Sequence, residues 1–119
     1  MKPKASDTEV RAAFAQIVNM TPRELEDWHK TEQSKSVGQD SGDGVSVGVK
    51  AGLRTIQLLR IKRAPNADDI KHMRRVVNFI RRQLFLGPRQ NRETSRWRYA
   101  LMNWGHDPMK MSDADSPWR

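Results

Sequence analysis

Five cations, Lys71, Arg74, Arg75, Arg81 and Arg82, lie in a stretch that holds no carboxylate from Lys71 to Arg92. On a helix turning by about 100° per residue they share one arc of roughly 120°, from which long basic side chains can reach phosphate oxygens. Arg60, Lys62 and Arg63 come before them and Arg96 and Arg98 after, which makes ten candidate contacts for a polyanion. A solvated helix face usually mixes charge signs at i, i+4. A face of one sign repels itself, and that repulsion is relieved when phosphates neutralise it and release counterions. The chemistry expected of these residues is therefore backbone contact with nucleic acid, weakening steeply with salt.

Other residue types point to less. No two of the three histidines, His29, His72 and His106, stand at the i, i+4 spacing that sets two metal ligands on one helix face, so no metal site is expected. Cysteine is absent, which excludes thiol catalysis, a disulfide scaffold and zinc-thiolate sites. His106-Asp107 could orient an imidazole for general-base work, but packing at the end of a helix accounts for it as well. No nucleophile elbow, Walker loop or dinucleotide fingerprint occurs, and neither catalytic residues nor cofactors are assigned. Trp28, Trp97 and Trp104 fall at helical spacing with other apolar residues and are expected in the core, while Trp118 stands apart near the C-terminus.

These residues belong to a chain of 119 residues with a formal net charge of +8 and 36% hydrophobic residues, enough for one small core. Mean hydropathy is -0.84. No apolar run approaches the ~20 residues of a membrane-spanning helix. The first residues carry charge but no apolar stretch after it, so a cytoplasmic protein is expected. The charge is unevenly spread. Residues 50–98 hold fourteen basic and three acidic residues, a net of +11, and the segments on either side are mildly acidic. Such asymmetry predicts an interaction surface.

The elements that must position the cations are helical. Ser6-x-x-Glu9 forms a capping-box pattern ahead of Val10, Phe14, Ile17 and Val18, predicting a helix over Asp7 to Asn19. Thr21-Pro22-Arg23-Glu24 starts a second that runs to about Gln33. Residues 34–52 carry five glycines and are expected to form one long Gly/Ser-rich loop. A third helix is predicted over Lys50 to Arg63, although Thr55 to Ile61 would also suit a strand. The fourth starts at the Asn66 cap and stops at Gly87-Pro88. Its Ile70, Met73, Val76, Val77, Ile80 and Leu84 make a core stripe beside the basic arc. The last is expected over Ser95 to Asn103, capped by Thr94 and stopped by Gly105, with His106 to Arg119 as a tail.

Several stretches carry a family resemblance. They are Val18-Asn19-Met20-Thr21-Pro22 with Glu24-Leu25 and Trp28, the repeated Ser-Val-Gly at 36–38 and 46–48, and His72-Met73-Arg74 with Val76-Val77. The most distinctive is the block from Trp97 through Tyr99, Asn103 and Trp104 to Gly105-His106-Asp107-Pro108. Over residues 14–110 the chain resembles a small bacterial family of unknown function, sometimes labelled a DNA-binding protein. The resemblance implies DNA rather than RNA as the partner and brings no catalytic residues with it.

The expected protein is all-α, a single domain of four to five short helices over residues 1–110 with a flexible tail at 111–119. Its expected function is non-enzymatic, low-specificity DNA binding through the arginine face. The alternatives are a protein-interaction module docking an acidic partner and a small enzyme using His106 and Asp107.

Overall fold

A computed structural model describes residues 4–38, 42–88 and 90–111 of the chain. The helices are α1 (Asp7–Ile17), α2 (Pro22–His29), α3 (Glu32–Lys35), α4 (Val47–Arg60), α5 (Ala67–Leu86) and α6 (Arg96–Trp104). Short 3-10 turns at Arg92–Thr94 and Pro108–Lys110 flank the last of them. No strand occurs among the described residues, so the fold is all-α as expected, and the ambiguous run from Thr55 belongs to α4. Among the described residues no helix is long and apolar enough to cross a membrane.

Local signals set the helix starts. Three complete capping boxes begin α1 (Ser6 and Glu9), α2 (Thr21 and Glu24) and α5 (Asn66 and Asp69). Each satisfies backbone N–H groups that the first turn would otherwise leave open, for about 1 kcal/mol per cap. The predicted core stripe of α5 is the buried one: Ile70, Met73, Val76, Val77, Ile80 and Leu84 are all inside. They pack against Val10, Phe14 and Val18 from the first helix and its end, and against Leu101 and Trp104 of α6. A smaller cluster of Met20, Leu25 and Ile56, with Trp28 and Met102 against it, joins α2 to α4 and α6.

The single turn α3 brings the helices to six rather than the expected four to five, α4 ends at Arg60 rather than Arg63, and four further expectations need correction. The Gly/Ser-rich loop is shorter than 34–52, because α3 occupies 32–35 and α4 begins at Val47, where the Ser46 hydroxyl accepts from the Val49 N–H. Gly48 and Gly52 lie inside that helix as contact points. A Cβ on Gly52 would stand 2.0 Å from the Asn103 carbonyl oxygen and 2.5 Å from His29 Nε2, so its missing side chain is what lets α4 meet the end of α6. The second helix stops at His29 instead of Gln33, because Thr31 restarts the chain as a new cap, its hydroxyl accepting from Ser34 N–H and donating to the Trp28 carbonyl. Ser95, not Thr94, caps α6.

The fourth correction concerns the tail. Gly105 takes φ +111, a left-handed turn that folds the chain back onto the end of α1. There Met20 N–H donates to the Gly105 carbonyl, Asp107 N–H to Asn19 Oδ1 and Asn19 Nδ2 to the Asp107 carbonyl. His106, Asp107 and Pro108 are consequently buried and belong to the core. Residues 112–119, with Trp118 and most of the expected tail, lie outside the described residues.

Candidate nucleic-acid interface

The basic face of α5 is built by the stripe opposite it. Once the six apolar positions are fixed against α1 and α6, helical geometry turns Lys71, Arg75 and Arg82 outward, and all three are exposed. Arg81 is exposed at the edge of this face, on the seam between α5 and α1. None of these four has a carboxylate oxygen within ion-pair distance among the described residues, and the same is true of Lys62 and Arg96.

The other candidates are committed internally. Arg74 is largely buried, donating to the Ala5 carbonyl at 2.8 Å and lying 3.5 Å from the Asp7 carboxylate, so it fastens the start of α1 to α5. Arg60 is paired with Glu26 of α2. Arg63 Nη1 reaches Asp69 Oδ2 at 2.6 Å, while Arg54, which sequence reasoning did not single out, reaches Oδ1 of the same carboxylate at 2.7 Å. Asp69 is wholly buried. The Arg63 hydrogen bond, helped by the Asn66 N–H, holds its carboxyl below the usual range and raises Arg63 in turn. Arg98 makes two parallel bonds of 3.0 Å to Asp107, and this hydrogen-bonded carboxylate raises its already high pKa.

Thus the ten candidates divide. Lys62, Lys71, Arg75, Arg81, Arg82 and Arg96 remain open to solvent, while Arg60, Arg63, Arg74 and Arg98 hold the fold together. The Arg75 guanidinium carbon also lies over the Trp104 ring, 5.1 Å from its centroid, and Phe79, one turn on, stacks on that indole at 4.0 Å. The signal for Arg54 was concealed because Asp69 reads as a first-turn capping residue, and nothing local reveals that it is buried between two arginines.

The three histidines and Trp28, Trp97 and Trp104 hold structural positions. His106 Nδ1 lies 2.6 Å from the Ile17 carbonyl and donates to it, while the Asp107 carboxylate is taken by Arg98 and by Met109 N–H. The ring and its neighbouring carboxylate therefore do not form the orienting pair that general-base work needs, and burial pushes His106 down. Trp28 Nε1 donates to Asn103 Oδ1 at 2.7 Å, and Trp97 Nε1 donates to the Gln83 carbonyl at 2.6 Å, so both indoles are fixed within the helical packing. Asn103, 1% exposed, also binds the Ser34 hydroxyl and carbonyl and ties α3 to α6. Two large apolar side chains break the surface beside the cations: Phe85 is 77% and Leu86 65% exposed at the end of α5.

No curated protein and no solved structure matches this chain. Residues 13–102 match the model of a family described as proteins of unknown function, DUF3140. That match runs from the middle of α1 through most of α6 and takes in the capped starts of α2 and α5, the basic face and the Asp69 cluster, and the chain belongs to the DUF3140 family.

Proposed function

We propose that this is a non-enzymatic, cytoplasmic protein that binds DNA with low sequence specificity, holding backbone phosphates on the outer face of α5. The observation that carries the reading is the set of four exposed cations, Lys71, Arg75, Arg81 and Arg82, which have no carboxylate partner among the described residues and stand on a helix whose opposite stripe is buried. Lys62 and Arg96 are likewise exposed and outside any ion pair among the described residues. Contacts of this kind position a duplex without reading its bases. The acidic second helix, bearing Glu24, Glu26 and Asp27, makes a poor recognition helix for the major groove.

Replacing Arg81 and Arg82 together by glutamate tests the reading. Affinity for a duplex of arbitrary sequence should fall by more than about tenfold, and an unchanged affinity would overturn the assignment of the face. A second reading, a module that docks an acidic protein, is favoured by Phe85 and Leu86, since an exposed apolar pair beside cations suits an acidic amphipathic segment. Loss of DNA binding together with retention of an acidic peptide by the nuclease-treated protein would select it.

A further inference from the structure

Between α4 and α5 lies a cleft of about 310 Å³ lined by Val47, Lys50, Ala51, Arg54, His72 and Arg75. Three of its six lining residues are cationic and none is acidic. We infer that this cleft is a seat for a single phosphate group, held by Lys50, Arg54 and Arg75 over a floor formed by His72 and Ala51. The inference does not depend on the α5 face binding DNA, since a discrete phosphate can occupy the cleft whether or not the ridge outside it meets a duplex.

Each wall has an independent reason to be where it is. Arg54 gives one nitrogen, Nη2, to the buried Asp69, and that bond fixes the guanidinium while its fork retains further donors. Arg75 rests its guanidinium over the Trp104 ring. Lys50, half exposed, is paired with Asp43 at 2.6 Å and can exchange that exposed carboxylate for a doubly charged ligand at little cost. The floor is preorganised too: the Thr55 hydroxyl donates to the Ala51 carbonyl and lies 3.3 Å from His72 Nε2. The cleft also sits on the first two turns of α4, the end at which the helix dipole favours an anion.

His72 is pushed down to about 4, by burial first and then by the charges of Arg54 and Arg75, so its ring is neutral near neutral pH and adds no further repulsion among the cations. The buried Asp69, bound by both Arg54 and Arg63, offsets part of the positive charge beside the cleft.

The probe is inorganic phosphate, titrated into the full chain at pH 7 and constant ionic strength while backbone amides are followed by NMR. Amides of 47–54 and 71–76 should shift saturably, with half-saturation on the order of 1 mM, and sodium chloride at matched ionic strength should leave them in place. Lys50→Gln with Arg75→Gln should weaken the site at least tenfold with the spectrum otherwise preserved. Lys50→Gln alone, which touches no buried group, should weaken it to a smaller degree. Dimethyl phosphate and phenyl phosphate identify the source: equal binding of the two supports a nucleic-acid diester in the cleft, and preference for phenyl phosphate supports a phosphomonoester ligand. Shifts that rise linearly without saturation, or that survive unchanged in the double variant, would overturn the inference.

Discussion

Acidification from pH 7 to pH 5 should destabilise this protein through its histidines before any carboxylate titrates. All three are held below the ordinary imidazole value, each chiefly by burial, and His72 is pushed to about 4. In the unfolded chain a histidine takes up its proton near 6.5. Between that value and 4 the unfolded state binds the proton and the folded state does not, so stability is complete above about 6.5 and is lost as pH falls. For His72 alone the linkage at pH 5 amounts to up to about 2 kcal/mol. His29 and His106 act in the same direction, because protonation would charge rings whose Nδ1 and Nε2, respectively, are buried without a partner. The lowered carboxylates Glu9, Glu24 and Asp69 contribute stability that is fully present above their unfolded values near 4, so they do not enter this window. A loss of ~2 kcal/mol corresponds to a fall of about 1 M in the urea midpoint for a small domain. Urea unfolding followed by tryptophan fluorescence at pH 7, 6 and 5 measures it, and His72→Asn should flatten the dependence by the share assigned to that ring. A midpoint that stays constant from pH 7 to pH 5 would refute the burial and electrostatics assigned to these histidines.

Other substitutions separate scaffold from surface. Asn103→Ala removes the partner of the Trp28 indole, the Ser34 hydroxyl and the Ser34 carbonyl at once, and should cost about 3 kcal/mol by urea unfolding. Gly52→Ala drives a methyl into the Asn103 carbonyl, a backbone atom that cannot swing aside, and should cost about 2–3 kcal/mol. Arg98→Met strands the largely buried Asp107 carboxylate and should cost about 3 kcal/mol with a smaller effect on DNA affinity. Arg82→Gln should do the reverse, moving stability by less than about 0.5 kcal/mol while weakening DNA binding and its salt dependence.

Much of the fold was legible because its signals are local. The capping boxes at Ser6 and Thr21, the Asn66 cap and the apolar stripe of α5 each depend on residues within a few turns of one another, and the helices they predict are present. The failures are tertiary. Gly48 and Gly52 look like loop glycines in the sequence, and only the approach of Asn103 and His29 shows that α4 needs them bare. His106-Asp107-Pro108 follows a helix-stopping glycine and resembles a tail, yet Gly105 returns it to Asn19 and Ile17, some ninety residues earlier in the chain. The basic surface divides along the same line. Helical spacing turned Lys71, Arg75, Arg81 and Arg82 outward, but whether a given arginine is open or engaged depends on where carboxylates such as Asp69 and Asp107 finish. The cleft of Lys50, Arg54, His72 and Arg75 draws on two helices and left no trace in either alone.

The claim that α5 presents phosphate contacts is tested most directly by the salt dependence of duplex binding, measured by fluorescence anisotropy with two unrelated sequences at 50 and 200 mM salt. Four contacts, from Lys71, Arg75, Arg81 and Arg82, predict a slope of log affinity against log salt near -3.6, hence a loss of about 150-fold over that range, the same for both sequences. Absence of binding at the lower salt, or an affinity indifferent to salt, would contradict it.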